Sequence, residues 1–423
     1  MLLSPHDQGN TAHLLRRAGF GATPEQLRKA RRQGLEATLE ELLAFPQQPD
    51  QQPDPPPYPV LGPGLVATLA LLGSSVRWWL ERMVLTRRPL EERLTLFWHR
   101  HFATSASKVF SPGMMLRQNQ TLRRHCAGRF AEMLEALARD PAMLEYLDLN
   151  KNSRQHPNEN FARELLELFT VGRGHYDEND VKQASRLLTG RRVNFFTYRF
   201  HLDPATQDTG PVRIMGLRGQ PTPADLFQYL AVHPATARRI TTRMWEEFAF
   251  APAPPQVVDR LTRLWLSTRG HSLAVVRAIF RSPEFYGAQA RMARVQSHVE
   301  LYVASMRALG LTKVAWRDLE RLHHMGELPF FPPSVKGWAQ GLAWIHPSAL
   351  LGRIELTFDL VGRLPDDSPL LTRLANLQQP ARALEELLGG RPFSAAVTRE
   401  VEAQRDSRSA LAVALASPDF QLC

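Results

Sequence analysis

The chain has 423 residues, of which 43% are hydrophobic, and both values are typical of a globular protein with a large core. It contains no run of about 18 uninterrupted apolar residues, which excludes a membrane-spanning helix. Residues 1–21 lack the apolar core of a signal peptide, so we expect a cytoplasmic protein, with a mature exported form as the alternative.

The formal net charge is +10, and most of it is carried by arginine. A guanidinium group suits phosphate and carboxylate, so a basic surface could meet nucleic acid or another anionic partner. The arginines are, however, spread along the whole chain, spaced to pair with glutamates, and not interleaved with aromatic residues as a single-strand-binding groove requires. We therefore do not expect nucleic-acid binding. Of the two cysteines, Cys126 lies in an apolar pattern typical of a buried core thiol.

The N-terminal region carries a clear helix start at Thr23, with Pro24 at the first helical position and Gln26 three residues after the cap. Apolar residues then recur at helical spacing, which predicts an N-terminal helical segment over residues 1–44. Residues 45–64 are rich in proline and glutamine and predict a linker or surface loop.

The remaining residues, 65–423, predict one main helical domain, because apolar residues recur with helical period almost throughout. The predicted helices cover 65–85, 89–102, 121–137, 141–147, 159–171, 178–188, 223–231, 234–250, 255–266, 272–280, 295–309, 316–324, 349–361, 370–388 and 394–416. Only residues 191–220 depart from the helical period. Their aromatic residues nearly alternate and are followed by Gly, Pro and Asp, which predicts an irregular segment or a short β-hairpin. The predicted fold is thus all-α: a large multi-helix domain with one short insertion.

Four segments have unusual composition and fixed order. They are residues 13–21 (HLLRRAGFG), 97–102 (FWHRHF), 157–170 (PNENFARELLELFT) with the following Gly172, Tyr176, Asp180, Val181 and Leu188-Thr189-Gly190, and 331–338 (FPPSVKGW) with Ala343-Trp344-Ile345. Over nearly the whole chain they resemble the bacterial family catalogued as domain of unknown function eighteen-hundred. The resemblance implies a helical bacterial protein without a known activity. Members of that family are often encoded beside proteins that resemble alkaline phosphatases and sulfatases, and many carry export signals.

The chain departs from the family pattern at several positions. Arg191 stands where the family usually has Trp, and Gln207 and Val212 stand where a His and a Lys are usual around Asp208. Residues 296–298 replace a usual Lys-x-Pro. If the missing His and Lys are catalytic in relatives, the resemblance implies that this chain is a degenerate copy.

His99 and His101 are the candidate metal ligands of the second segment. Each residue of an α-helix is rotated by about 100° from the one before it, so side chains two residues apart point about 200° from each other. They can share a metal only if the helix ends near Trp98 or one ligand comes from a loop. The neighbouring Phe97 and Phe102 favour a buried, hydrogen-bonded histidine as the alternative.

The third segment supplies the candidate carboxylates. Glu159, Arg163 and Glu167 are spaced four residues apart, which predicts an ion-paired ladder on one helical face. Glu164 lies on another face among apolar residues, where burial would raise its pKa and suit it as a general acid or base, or as a metal ligand beside His99. The alternative is that Glu164 accepts a hydrogen bond from Arg163 or from the loop before the helix.

Four further residues complete the candidate binding set. Asn158 and Asn160 lie at the predicted helix start, where capping explains one of them and a ligand role at most the other. Asp208 lies on the irregular insertion. Trp338, in a Pro/Gly-rich loop, could line a cleft, although packing is the default for tryptophan.

Two hypotheses for function follow. The first is an enzyme with a polar site, with or without a divalent metal, between the His99/His101 helix and the helix of residues 158–167. Glu164 would be the base or a ligand, a histidine the acid or a ligand, and Arg163 an anion holder, with Glu159 among the binding residues. The second is a non-catalytic binding or assembly module that partners a phosphatase/sulfatase-like protein. The sequence carries no G-x-S-x-G elbow, phosphate-binding loop, dinucleotide fingerprint or H-E-x-x-H motif.

Overall fold

The computed structural model describes residues 5–52, 55, 64–377 and 379–423. In these residues the α-helices before the insertion are α1 (Pro5–Ala18), α2 (Pro24–Gln33), α3 (Leu35–Leu43), α4 (Leu65–Leu85), α5 (Pro89–His101), α6 (Ala106–Val109), α7 (Pro112–His125), α8 (Phe130–Leu137), α9 (Pro141–Tyr146), α10 (Asn160–Glu164) and α11 (Glu178–Leu187). Those after it are α12 (Pro223–Ala231), α13 (Pro234–Phe248), α14 (Pro255–Ser267), α15 (Ser272–Phe280), α16 (Pro283–Tyr286), α17 (His298–Leu309), α18 (Trp316–Met325), α19 (Pro347–Gly362), α20 (Pro369–Ala375), α21 (Pro380–Leu387), α22 (Ala395–Glu402), α23 (Ser407–Ala416) and α24 (Pro418–Gln421). Short 3₁₀ helices cover Phe45–Gln47, Leu149–Lys151, Pro204–Thr206, Ala288–Ala290 and Gly341–Trp344, and a π-helix covers Leu165–Phe169.

The insertion consists of two small antiparallel hairpins. Strand β1 (Arg191–Asn194) pairs with β2 (Arg199–Leu202), and β3 (Val212–Ile214) pairs with β4 (Leu217–Gly219). The first hairpin packs near α9 and the second against α11. The predicted all-α fold with a hairpin insertion is therefore confirmed.

Helix starts follow the capping chemistry of the sequence. The Thr23 side chain accepts from the backbone N–H of Gln26 and the Gln26 side chain accepts from the backbone of Thr23, as the sequence predicts. Asp177 and Ser297 form the same reciprocal box at the starts of α11 and α17. These caps satisfy amide groups that would otherwise lack partners in the first turn.

Four of the predicted single helices are each divided in the structure. The helix predicted over 121–137 is α7 and α8, separated by residues 126–129, and the helix predicted over 159–171 is α10 followed by the π-helix. The helices predicted over 370–388 and 394–416 are α20 with α21 and α22 with α23. Apolar period alone does not register a short break or a change of helix type.

Helix α5 lies at the centre of the fold. Every residue from Leu90 to His101 is buried, and the helix is packed by α1, α3 and α7. A helix buried on all sides is a core helix, and its polar residues must find partners inside the protein. The sequence places Glu91, Glu92, Arg93, His99, Arg100 and His101 on this helix.

One hydrophobic core runs from Leu14 to Phe420, so helices from both ends of the chain contribute to it. The predicted division into residues 1–44, 45–64 and 65–423 remains a prediction. Within the predicted linker, residues 53–54 and 56–63 lie outside the described residues. Among the helices of the described ranges, none is both long and apolar enough to cross a membrane.

Candidate functional site

A buried ion-pair network fixes the centre of α5. Arg93 donates to Glu247 of α13 at 2.8 Å and to Glu300 of α17, and Arg100 donates to Glu327 at 2.6 Å. Burial alone would raise the pKa of Glu327, but the charge of Arg100 outweighs burial and lowers it. The network is neutralised internally, so we assign it to structure. The sequence analysis missed it because its members are brought together only by the fold.

His99 is held in an aromatic box. Its Nε2 accepts a hydrogen bond from the backbone N–H of Phe330 at 3.1 Å, and its ring lies 5.0 Å from Trp79 and 5.4 Å from Trp338. Burial, reinforced by Arg100, lowers the pKa of His99 to about 3. The imidazole is therefore neutral at physiological pH and carries its proton on Nδ1, which has no acceptor in the described part of the chain.

His101 uses both ring nitrogens. Arg243 donates to Nδ1 at 2.6 Å, so Nε2 carries the proton and donates to the carbonyl oxygen of Phe169 at 3.0 Å. Burial and the charge of Arg243 hold the pKa of His101 well below its ordinary value. This is the buried, hydrogen-bonded histidine that the sequence analysis gave as the alternative to a metal ligand.

The predicted three-ligand metal centre is not formed. His99 contacts Trp79, Phe330 and Trp338, whereas His101 contacts Phe169 and Arg243 on another side of α5. Within the described ranges, no three His, Cys, Asp or Glu side chains, and hence not His99, His101 and Glu164, form a group able to hold a metal ion. Side chains two residues apart on a helix point in nearly opposite directions. Because α5 continues to His101, the side chains of His99 and His101 cannot share one metal ion.

The π-helix shapes the third segment. Its wider turn releases carbonyl groups that other residues then bind: the N–H of Gly172 donates to Leu166 O at 2.9 Å, and Arg239 donates to Glu167 O at 2.6 Å. Gly172 has φ +85°, and a Cβ there would lie 2.8 Å from Arg239 Nη1. Single-turn π-helices are frequent at functional sites, and this one directly follows Glu164.

Glu164 is half-buried and accepts no hydrogen bond from any described residue. Burial and the nearby charge of Glu167 raise its pKa, while Arg163 and Lys336 act in the opposite direction. Lys336 is exposed and comes from the fourth segment, so the fold brings together two segments that are distant in the sequence. The charge of Glu164 also adds to burial in raising the pKa of Tyr146. The raised pKa of Glu164 confirms the prediction from its apolar neighbours.

The predicted ladder is formed only in part. Arg163 donates to Glu159 at 3.0 Å and to Glu178 of α11 at 2.7 Å, so its guanidinium is already occupied by carboxylates. Glu167 pairs instead with Arg173 at 2.8 Å and accepts from Tyr176 at 3.0 Å. The π-helix shifts Glu167 out of the spacing of four that the sequence implied.

The asparagines organise the loop before α10. Asn158 Oδ1 accepts from the backbone N–H of Asn160 at 3.0 Å, and the Asn158 N–H donates to Asn152 at 2.9 Å. The Asn160 side chain donates to Asp148 at 3.4 Å. Asn158 thus forms a local turn ahead of the helix, whereas the N-cap residue of α10 is Glu159, so neither asparagine occupies the expected capping position.

Asp208 and Trp338 have structural partners. Asp208 accepts from Arg186 of α11 at 2.8 Å, which lowers its pKa and ties the insertion to the helical body. Trp338 is buried and packs with Val295 and Trp344 as well as His99.

Gly337 holds the loop that carries Lys336 against α5. Its φ is +78°, and a Cβ there would lie 2.6 Å from the carbonyl oxygen of Arg100. Only glycine combines this backbone conformation with such a close approach. The loop therefore rests directly on α5, with Trp338 turned inward and Lys336 outward. Lys336 belongs to the fourth segment, but its sequence neighbours do not indicate that it lies near Glu164.

The comparisons with known proteins agree with the resemblance read from the motifs. The family described as Protein of unknown function (DUF1800) matches residues 13–422. No curated protein matches the chain, and no solved structure does.

Proposed function

The chain belongs to this family of proteins of unknown function, and from that premise we propose that it is an enzyme that uses Glu164 as a general acid–base group. The site would lie where α10 and the π-helix meet the loop containing Lys336. The observation that supports this proposal is a half-buried carboxylate with a raised pKa, without a hydrogen-bond donor among the described residues, beside an exposed lysine.

The chemistry requires only groups present at this surface. A carboxylate whose pKa is raised toward neutrality is a better base at physiological pH than an ordinary glutamate. The charge of Lys336 would attract an anionic substrate, and Glu164 would take a proton from its hydroxyl or activated carbon and return it to the product. The substrate class is therefore a small anionic molecule. The metal-assisted version is not carried forward, because both ring nitrogens of His101 are engaged.

The other predicted site residues take supporting roles in this proposal. Asn158 and Asn160 would fix the start of α10, and the paired Glu159 and Arg163 would border the site. His101 would position the site by holding the end of the π-helix. His99 and Trp338 would do so by fixing the loop that carries Lys336.

Carbodiimide labelling of carboxyl groups tests the first half of the proposal. The reagent activates the protonated carboxyl, so Glu164 is expected to remain labelled at higher pH than Glu178, whose pKa is lowered by its hydrogen bond from Arg163. Peptide mass spectrometry across a pH series gives both profiles in one sample. Coinciding profiles would show that the pKa of Glu164 is not raised.

A turnover assay tests the second half. Purified protein is screened with carboxylate and phosphate esters and with other small anions. Glu164→Gln is expected to abolish any turnover found, and Lys336→Met to raise KM. Glu135→Gln, at a surface carboxylate paired with Arg139 and outside the proposed site, serves as the matched control. The rate should rise with pH through the raised pKa of Glu164. Turnover that persists unchanged in Glu164→Gln would refute the assignment.

A second candidate function is the assembly module, for which an exposed apolar stripe provides the argument. On α19, Leu351 and Phe358 are 58% and 48% exposed and lie seven residues apart on one face, and Leu342 before the helix is 81% exposed. Apolar groups exposed together are typical of protein contact sites. The family resemblance makes a phosphatase/sulfatase-like protein the partner to test. We also propose a cytoplasmic location for the chain, which cell fractionation tests.

Co-expression with a phosphatase/sulfatase-like companion distinguishes this candidate. Leu351→Lys with Phe358→Lys should abolish co-purification, whereas Phe196→Lys, at an aromatic residue 72% exposed in the insertion, should not. Equal recovery of the companion with all variants would reject the stripe as the contact.

A further inference from the structure

A small cavity lies between α1, α5 and the end of the chain. Its wall includes four arginines, Arg16, Arg93, Arg294 and Arg391, together with the thiol of Cys423. The cavity volume is about 10 Å³, which is room for one particle of about the size of a water molecule. The cavity is separate from the site around Glu164, and neither functional proposal uses it.

The arginines of this wall are not equally paired. Arg93 and Arg294 both pair with Glu300, Arg294 at 2.7 Å, and Arg93 pairs also with Glu247 at 2.8 Å. Arg16 and Arg391 donate only to backbone carbonyl groups in the described ranges: Arg16 to Gly390 at 3.3 Å, and Arg391 to Phe420 at 2.5 Å. Arg16 and Arg391 thus have no carboxylate partner among the described residues, whereas Arg93 and Arg294 do.

The unpaired nitrogens confirm that acceptors are lacking. The Nε atoms of Arg16, Arg93, Arg294 and Arg391 are all buried, and none has a hydrogen-bond partner among the described residues. Arg16 is 6% exposed and Arg391 is 1% exposed, so water does not substitute freely for an acceptor. Buried guanidinium groups without a counter-charge are costly, which makes a bound anion favourable here.

Two electrostatic consequences agree with this excess of positive charge. Burial and the charge of Arg391 lower the pKa of Arg16 to about 9. Burial alone would raise the pKa of the Cys423 thiol, but Arg294, Arg17 and Arg391 outweigh it and lower that pKa to about 7. An anion in the cavity would oppose both shifts.

We propose that this cavity binds one small inorganic anion of halide size, for which chloride is the physiological candidate, and that the anion ties α1 to the end of the chain. The cavity volume limits the size of the ion, and the surrounding arginines require that its charge be negative. Phosphate and larger anions do not fit the volume described. The role is structural and independent of the chemistry proposed at Glu164.

Bromide provides a direct test. Crystals of the full chain grown or soaked in sodium bromide should show one anomalous peak in the cavity, beside Arg16 and Arg391. A cavity that remains without a peak, while bromide is seen only at the surface, would overturn the proposal. This measurement needs no variant and does not depend on how any substitution affects folding.

Thermal unfolding in solution provides the second test. Sodium chloride should stabilise the protein more than sodium gluconate at equal ionic strength, because gluconate is too large for the cavity. At a chloride concentration of about 100 times Kd, the unfolding equilibrium constant should fall about 100-fold. Arg16→Gln should remove the difference between the two salts.

Arg307→Gln is the matched control. Arg307 is likewise buried, donates to Val84 O at 2.7 Å and to Gln26, and has an unpaired Nε, but it does not line the cavity. This variant should keep the difference between the two salts. Cys423→Ser should also keep it. Loss of the chloride effect in Cys423→Ser, or its retention in Arg16→Gln, would show that the arginines do not hold chloride.

Discussion

Replacing Gly337 by alanine tests the close contact that positions the loop bearing Lys336. The added Cβ would meet two costs. At φ +78° a non-glycine residue pays about 1–2 kcal/mol of backbone strain. The approach of 2.6 Å to the carbonyl oxygen of Arg100 cannot be relieved by a rotamer change, and such overpacking costs about 1–3 kcal/mol. Gly337→Ala should therefore lose about 2–5 kcal/mol of unfolding free energy.

Gly341→Ala separates these two costs. Gly341 has φ +64° in the same loop region, but a Cβ there meets nothing within 4 Å. This variant should lose only the strain of about 1–2 kcal/mol. Urea unfolding followed by tryptophan fluorescence gives both values, with an unchanged m-value showing that the end states are the same. Equal losses in the two variants would refute the close contact between the loop and α5.

Three further predictions concern titratable side chains inside the fold. Glu92 has a pKa of about 2 in the folded protein, because Arg123 and Arg82 outweigh the effect of burial. Glu92→Gln should therefore lower the free energy of unfolding by about 3–5 kcal/mol at neutral pH. Since that pKa lies below the unfolded value of 4.5, the wild type should lose its advantage over Glu92→Gln as the pH falls from 4.5 toward about 2, which urea unfolding across this range measures. Glu164→Gln should unfold at the same or a higher urea concentration than wild type above neutral pH, because the raised pKa means that ionised Glu164 is disfavoured in the fold; a clear loss of stability would contradict this. His101→Leu leaves Phe169 O and Arg243 without their hydrogen-bond partner, which should lower the free energy of unfolding by about 1–3 kcal/mol for each of them. Thermal or urea unfolding measures this loss, and an unchanged stability would show that neither hydrogen bond stabilises the protein.

The sequence was sufficient for the fold class because the signals that decide it are local. Thr23 and Gln26 mark a helix start within four residues. The aromatic residues of the insertion indicated where it lies but not its strands, because residues 195–198 form the turn between β1 and β2 and the second hairpin contains none of them. The π-helix was not predictable from these signals. One extra residue in a turn leaves the apolar pattern of a short helix almost unchanged, so residues 159–171 still resembled an ordinary α-helix.

The candidate site was predictable only where its properties depend on sequence neighbours. The raised pKa of Glu164 follows from the apolar residues beside it, and the sequence analysis found it. The partners of the histidines come from far along the chain: His99 is bound by Phe330, and His101 by Phe169 and Arg243. No spacing rule indicates such contacts, so the choice between metal ligand and buried histidine needed the fold.

Composition was similarly ambiguous about the positive charge. A net charge of +10 indicates a basic surface only if the arginines are exposed. Arg17, Arg93, Arg353 and Arg391 are instead among the largest fully buried side chains of the described structure. Part of the positive charge therefore acts within the core, by binding carboxylates and backbone carbonyl groups, and does not contribute an exposed patch.

The residues of the family motifs divide into those with structural partners and those without. Gly337, Trp338, His99 and Arg100 meet at α5, where they pack and hydrogen-bond inside the protein. These motif residues are explained by the fold alone and would be needed whatever the protein does. The side chains of Glu164 and the exposed Lys336 also belong to the motifs, but among the described residues they form no hydrogen bond with each other or with another side chain. Because folding does not account for them, they are the residues at which a search for activity should begin.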